Sequence, residues 1–129
     1  MKAMHYTLEQ LNQASADAFV AALSGIFEHS PWVAAAAAQQ RPFASIDALH
    51  RTMSQVVETS GEAKQLALNG AYREKFGFPF ILAVRGYDRH GIIANFEARV
   101  NNSRADEMRA SLDQIYRIAR FRLDELIDA

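Results

Sequence analysis

The chain contains no cysteine, only three prolines and six glycines, and no long run of apolar residues. The lack of cysteine excludes disulfides, thiolate nucleophiles and cysteine-rich zinc sites, and it is typical of a reducing compartment. A membrane-spanning helix needs about 18 or more consecutive apolar residues, and the sequence has no such run and no signal-peptide pattern after Met1. We therefore expect a cytoplasmic protein that does not insert into a membrane.

An excess of charge of one sign is also lacking, since 14 basic and 15 acidic residues leave a net charge of −1. A nucleic-acid surface or a polybasic membrane patch would need clustered positive charge, so neither partner is indicated. Half of the 129 residues are hydrophobic, which is enough for one core and too little chain for two ordinary domains. We expect a single domain over residues 1–129.

Helix signals occur along nearly the whole chain, and they predict an all-α, single-domain helical bundle. Gln10 follows Thr7 by three residues in a capping-box pattern, and Pro31 suits the first turn of a helix. The alanine-rich stretch 33–38 favours a tight contact between helices. Further residues suited to cap helix N-termini are Ser15, Ser45, Asp88 and Ser103.

Apolar residues recur every three or four positions in several segments, as expected of helices with one buried side. The isolated run 81–84 is the only β-like segment, and it is too short to found a sheet. The three clearest stripes are Ile46, Leu49, Met53, Val56 and Val57; Ile92, Ile93, Phe96 and Val100; and Met108, Leu112, Ile115, Ala119, Leu123 and Leu126.

A helix is predicted from Glu62, with Ala63, Leu66 and Ala67 facing inward. Asn69 and Gly70 then follow, a pair that favours turns, and glycine inside a helix costs about 1 kcal/mol relative to alanine. We therefore predict that the helix is interrupted there.

Three phenylalanines spaced by glycine and proline stand in the run KFGFPFI at 75–81. Gly77 permits unusual backbone angles and Pro79 cannot continue a helix, so the backbone is expected to turn and leave amides for a ligand. Aromatic clusters are more often core than site, so a helix end anchored in the core is the alternative.

The order of the sequence blocks resembles that of the OHCU decarboxylases, over nearly the whole chain. The run at 75–81 is the most specific of them. The other blocks are HSPWV at 29–33, RPF at 41–43, LH at 49–50, the stretch 69–74, EARVNN at 97–102 and IARFRL at 118–123. The family converts 2-oxo-4-hydroxy-4-carboxy-5-ureidoimidazoline into (S)-allantoin and carbon dioxide without a cofactor, so the resemblance implies this reaction in purine breakdown.

One departure from the family pattern lies between Leu68 and Asn69. Family members carry a His-Pro pair and a Ser-x-x-Glu-Gln motif there, and this sequence has neither. The family's catalytic His and its Glu partner have no counterpart here, so the catalytic interpretation depends on whether Leu68 and Asn69 are covalent neighbours. If they are, we expect a catalytically inactive helical module of the same fold that binds ligands or partners.

Arg99 matches the arginine with which family members bind substrate, and a guanidinium can hold a carboxylate through two parallel hydrogen bonds. On spacing alone, a solvated arginine is the alternative. The resemblance further implies a homodimer, no cofactor and a substrate-binding loop. That loop comprises Gly77, Phe78, Phe80, Ile81 and Ala83.

Other chemistry finds little support among the remaining residues. His5, His29, His50 and His90 are not paired with each other or with a carboxylate at the spacing of metal ligands, so no metal site is expected. Glu28 beside His29 is an incidental pair, because adjacent helical residues point apart.

Overall fold

The computed structural model describes residues 5–76, 81–83 and 87–128. The described part is all-α, as predicted, apart from two very short strands. The elements, in chain order, are β1 (Tyr6–Thr7), α1 (Leu8–Gln13), α2 (Ala16–Leu23), α3 (Pro31–Ala38), α4 (Ile46–Glu58), α5 (Glu62–Phe76), α6 (Arg89–Arg99), α7 (Arg104–Leu126) and β2 (Ile127–Asp128).

The predicted helix starts are confirmed by hydrogen bonds of the capping side chains. Thr7 and Gln10 form a complete capping box at α1, and Pro31 is at the start of α3. A capping side chain satisfies one of the backbone amides that an α-helix leaves without an internal partner. The same bond to the amide three residues on is made by Ser15, Ser45, Asp88 and Ser103.

Helices α2, α3, α4, α5 and α7 contribute most of the core. Ala34 and Ala37 are fully buried where α3 packs against α2 and α4, which confirms the tight contact predicted for the alanine-rich stretch. Phe19 and Phe43 stack in the same core with ring centroids 6.4 Å apart. Small side chains allow these helices to approach closely, and the aromatic rings fill the remaining volume.

The predicted interruption at Asn69-Gly70 is wrong, because α5 runs from Glu62 to Phe76 without a break. Leu68 and Tyr72, four residues apart on one side of this helix, are both fully buried. Burying two large side chains contributes several times the roughly 1 kcal/mol that an internal glycine costs. Packing therefore outweighs the local turn preference.

The inward residues predicted for α5 are also wrong. Ala63 and Ala67 are exposed and Leu66 is 41% exposed, whereas Leu68 and Tyr72 face the core. The helix is rotated relative to the prediction, since the two largest apolar side chains near its middle determine the buried side. Burial raises the pKa of the Tyr72 phenol to about 12, because the phenolate would lose its hydration.

A two-residue parallel ladder joins the two ends of the described chain, with Tyr6 opposite Ile127 and Thr7 opposite Asp128. Periodicity could not indicate this pairing, because each strand is only two residues long and the partners are far apart in sequence. The ladder places the residues that follow α7 beside those that precede α1. The β-like run at 81–84 forms no strand in its described part, residues 81–83.

Candidate functional site

Arg99 occupies the last turn of α6, and its side chain is only 6% exposed. A cation at this end of a helix interacts favourably with the partial negative charge of the terminal carbonyls. A buried guanidinium, however, needs polar partners for its N–H groups. Its surroundings therefore define the centre of the candidate site.

Glu107, in the first turn of α7, is the charged partner of Arg99. Arg99 Nε donates to Glu107 Oε2 at 3.2 Å, and Arg99 Nη2 donates to Glu107 Oε1. The two groups thus meet in the fork geometry that makes arginine–carboxylate pairs strong. The alternative of a solvated Arg99 is therefore wrong.

Two further groups also contact the guanidinium. Ser111, one turn after Glu107, accepts a hydrogen bond from Arg99 Nη2 at 3.1 Å, and the Ile81 carbonyl accepts one from Nη1. Arg99 thereby links the end of α6, the first two turns of α7 and the segment 81–83.

Burial by itself would raise the pKa of the Glu107 carboxyl, but hydrogen bonds from Arg99 and Asn102 outweigh it and lower the pKa below the ordinary value. The Asn102 side-chain amide donates to Glu107 Oε2 at 3.1 Å. Each of these donors stabilises the carboxylate more than the neutral acid. Glu107 is therefore ionised at neutral pH.

The structure describes only part of the predicted substrate-binding loop. Ile81 and Ala83 are buried, and the Ala83 amide donates to the Gln114 side chain at 3.0 Å. Gly77, Phe78 and Phe80 lie outside the described residues. The described part of the loop thus meets Arg99 through the Ile81 carbonyl, while the Ala83 amide holds it against α7.

A cavity of about 440 Å³ lies beside this cluster, between α5 and α7. Its volume is within the range of small-molecule sites. Because Arg99 offsets the charge of Glu107, two arginines leave the wall with net positive charge, which suits an anionic ligand. The polar residues of the wall are Asn69, Arg73, Asn102, Ser103, Arg104, Glu107 and Ser111.

Arg99 does not itself line this cavity and lies behind Glu107 and Ser111. The sequence prediction identified Arg99 but missed these two partners. The position of Glu107 could have indicated its role. It stands in the first turn of α7, after the Ser103 cap, where acidic side chains are favoured. A residue at the start of this helix can reach Arg99 at the end of the preceding one.

The histidines and Glu28 do not join the cluster. His50 Nε2 lies 2.7 Å from the Tyr116 carbonyl, and Glu28 pairs with Arg122 at 2.9 Å rather than with His29. No group of three or more possible metal-binding side chains occurs within residues 5–76, 81–83 and 87–128. In those same ranges, no helix is long and apolar enough to cross a membrane.

Comparison with protein families gives two matches to the family described as OHCU decarboxylase, over residues 12–68 and 60–124. A solved structure, "Crystal structure of (S)-allantoin synthase", superposes with a TM-score of 0.81 at 31% identity. That superposition covers 95% of this chain and 54% of the other. The fold and most of the sequence therefore agree with one family.

Two curated relatives support the same conclusion. A 2-oxo-4-hydroxy-4-carboxy-5-ureidoimidazoline decarboxylase of Haloferax volcanii is 35% identical over 159 residues, covering 92% of this chain and 95% of the relative. The uric acid degradation bifunctional protein PucL of Bacillus subtilis is 33% identical over 162 residues, and the match covers 95% of this chain and 33% of that protein.

The comparisons also support the position of the missing segment. The alignment with the Haloferax protein is 159 residues long and this chain has 129, so at least 30 positions of that relative face a gap. The two family matches overlap at residues 60–68, next to the Leu68–Asn69 junction where the sequence departs from the family pattern. With both halves matched, the chain belongs to the OHCU decarboxylase family.

Proposed function

We propose that the protein decarboxylates 2-oxo-4-hydroxy-4-carboxy-5-ureidoimidazoline to (S)-allantoin in urate breakdown, without a cofactor. The observation that carries this proposal is the agreement of both halves of the chain with one family, at 35% identity to a relative named for this activity. In the reaction the bond to the carboxylate breaks and carbon dioxide leaves. The bonding electrons stay with the ring, and a proton added to one face sets the S configuration.

The cavity between α5 and α7 supports binding of this substrate. Its size suits a single small molecule, and Arg73 and Arg104 provide positive charge for a carboxylate. We assign the substrate anchor to Arg99, at the back of this wall, together with the loop residues Ile81 and Ala83. The assignment extends to Gly77, Phe78 and Phe80, which rests on the sequence pattern alone.

The acid–base step is the part of the reaction for which the chain carries the fewest candidate residues. The family resemblance gives this task to a His and a Glu in the segment that is absent between Leu68 and Asn69. A positioned general acid or base contributes about 10²–10⁴-fold to a rate. Without that segment, binding and desolvation by the remaining residues must supply any acceleration.

The absent segment favours a second candidate function, a non-catalytic module that binds the ligand or a partner. In that case the cavity keeps affinity for (S)-allantoin, and turnover stays at the spontaneous rate. Under either candidate we propose that the protein is cytoplasmic, as its composition suggests, and that it forms a homodimer, as the family resemblance implies.

The test follows freshly generated substrate by circular dichroism, because catalysed protonation gives an optically active product and spontaneous decay gives both enantiomers. The intact mass must first equal 14.4 kDa, so that Leu68 and Asn69 are known to be neighbours. Turnover above the spontaneous rate that Arg99→Ala abolishes supports the decarboxylase, with Arg109→Ala as the matched surface control. Turnover at the spontaneous rate, with Arg99-dependent binding of allantoin, supports the binding module.

A further inference from the structure

We propose that Arg73 and Arg104 form a carboxylate-binding subsite in the α5–α7 cavity, and that the Asn69 side-chain amide binds the ureido group of the same ligand. The inference rests on the proposed function and deepens it, because it names the residues that take the negative charge of the substrate. It also names the chemical class that the cavity selects, a small acid with a carboxylate and a ureido group.

Most other polar groups of the cavity wall already have hydrogen-bond partners within the protein. Glu107 accepts hydrogen bonds from Arg99 and Asn102. Ser111 Oγ accepts one from Arg99 at 3.1 Å, and Ser103 Oγ caps the start of α7. A ligand must therefore find its partners among the remaining polar residues of the wall.

Arg73 and Arg104 are cations of the wall that remain available. Within the part of the chain that the structure describes, neither side chain makes a hydrogen bond or an ion pair. Arginines of α7 outside the cavity differ, since Arg109, Arg120 and Arg122 each pair with a carboxylate. An arginine without a partner keeps all of its N–H donors for a ligand, and its planar fork matches a carboxylate.

The wall does not cancel the charge of these two arginines. Glu107 is the acidic residue among the described residues of the wall, and its ion pair with Arg99 offsets its charge. Burial would raise the pKa of the Glu107 carboxyl, but hydrogen bonds from Arg99 and Asn102 and the nearby charge of Arg73 lower it. Arg73 thus lies close to this wall, and its charge adds to that of Arg104 in attracting an anion.

The two arginines approach the cavity from different helices. Arg73 lies four residues after Asn69 on α5, so the two side chains share one side of that helix. Arg104 is the first residue of α7, and the start of a long helix also favours anions because its first amides lack partners within the helix. One ligand can therefore contact both helices.

Asn69 supplies the neutral hydrogen-bonding group. Its Oδ1 atom is buried and has no hydrogen-bond partner among the described residues, while Nδ2 donates to Met108 Sδ at 3.0 Å. A thioether sulfur is a weak acceptor, so the amide is weakly held and can turn toward a ligand. A ureido group has both N–H donors and a carbonyl acceptor, and it therefore matches both ends of this amide.

The experiment uses 3-ureidopropionate, a stable acid in which two carbons separate the carboxylate from the ureido group, as in the 4-carboxy-5-ureido arrangement of the substrate. The matched neutral ligand is 3-ureidopropionamide. Titration of the full chain, followed by nuclear magnetic resonance, measures both affinities. We expect the parent chain to bind the acid about tenfold more tightly than the amide, because the arginines act on its charge, and added salt should reduce the difference.

Arg73→Gln and Arg104→Gln each remove one guanidinium. We expect each to weaken binding of the acid about fivefold and to change binding of the amide less than about twofold. Arg51→Gln is the matched control, because Arg51 is an exposed arginine of α4 that does not line the cavity, and it should leave both affinities unchanged. All three arginines are exposed, so the variants should fold as the parent does.

Asn69→Ala tests the ureido contact separately from the charge. We expect it to weaken binding of the acid and of the amide alike, about threefold, because both ligands carry the ureido group. Unchanged affinity for both ligands would contradict the role of Asn69. Equal affinity of the parent for acid and amide, no binding of the acid, or an equal loss in Arg51→Gln would overturn the carboxylate subsite.

Turnover of the ureidoimidazoline substrate separates failure of this inference from failure of the proposed function. If the parent forms (S)-allantoin and the KM is unchanged in Arg73→Gln and Arg104→Gln, the subsite is refuted and the decarboxylase stands. If the parent shows no turnover but binds the acid in a manner that depends on both arginines, the subsite stands and the decarboxylase is refuted.

Discussion

Helices α4 and α6 carry the same sequence signals and have opposite surroundings. Each begins with a side chain that caps its amides, Ser45 for α4 and Asp88 for α6. In α4, the stripe residues Leu49 and Met53 are fully buried against α3, α5 and α7. In α6, the stripe residues Ile93, Phe96 and Val100 are 49%, 45% and 63% exposed.

The difference teaches that an apolar stripe indicates which residues share one side of a helix but not what covers that side. Helix α4 lies between three other helices, so its stripe enters the core. Helix α6 is tied to the rest of the described structure by a polar cluster at its last residue, where Arg99 meets Glu107, Ser111 and the Ile81 carbonyl. Function is therefore expected where α6 meets α7.

The largest expected effect contrasts the two stripes directly. Leu49→Ala should lower the free energy of unfolding by about 3 kcal/mol, because it opens a cavity in a fully buried part of α4. Ile93→Ala should change it by less than about 0.5 kcal/mol, since this side chain is half exposed. Urea unfolding of both variants measures the contrast, and equal losses would show that the α6 stripe is covered.

The next effect concerns the polar cluster of α6. Glu107→Ala should destabilise the fold by about 2–3 kcal/mol, near the lower end expected for breaking a buried ion pair, because Arg99 is left without its charged partner. Glu58→Ala breaks an ion pair with the more exposed Arg109 and should cost about 1 kcal/mol or less. Thermal unfolding tests both, and a smaller loss for Glu107→Ala would contradict the contrast.

A substitution in helix α5 is expected to stabilise the fold rather than destabilise it. Gly70 lies inside the helix, and a methyl group added there would meet no atom within 4 Å. Gly70→Ala should therefore raise the free energy of unfolding by about 1 kcal/mol, the usual difference in helix propensity. A destabilised variant in the same urea measurement would mean that α5 is interrupted at this position after all.

The smallest effect is a pH dependence. The pKa of Glu107 is lower in the folded protein than in the unfolded chain, so the folded state binds this proton less readily. Its contribution is fully present above a pH of about 4.5 and is lost as the pH falls through the folded-state pKa. The melting temperature of the parent should fall below that pH more steeply than that of Glu107→Gln, and parallel curves would contradict the assignment.

Local signals in the sequence were sufficient for most of the helices. The caps Ser15, Ser45 and Ser103 were predicted correctly because a capping hydrogen bond joins residues only three apart. The break at Asn69-Gly70 was predicted wrongly because its local cost is smaller than the gain from packing Leu68 and Tyr72. The β1–β2 ladder was missed because its partners are more than 100 residues apart.

The sequence predicted only part of the candidate site, because the rest depends on contacts between helices rather than on local signals. Arg99 was identified through its sequence block, but its partners Glu107 and Ser111 depend on how α6 and α7 meet. The order of residues in the chain does not show how these two helices are oriented relative to each other. The predicted loop contributes the Ile81 carbonyl to the Arg99 cluster and the Ala83 amide to Gln114 of α7, while Gly77, Phe78 and Phe80 stay predictions.

The central claim is that this member of the OHCU decarboxylase family still turns over the ureidoimidazoline substrate. Its most direct test is the initial rate of (S)-allantoin formation by the intact 14.4 kDa chain, followed by circular dichroism. The relatives named for this activity favour turnover over the inactive module that the absent segment alone predicts, so the account predicts an optically active product, formed faster than in buffer and lost in Arg99→Ala. A racemic product formed at the rate seen in buffer would contradict it.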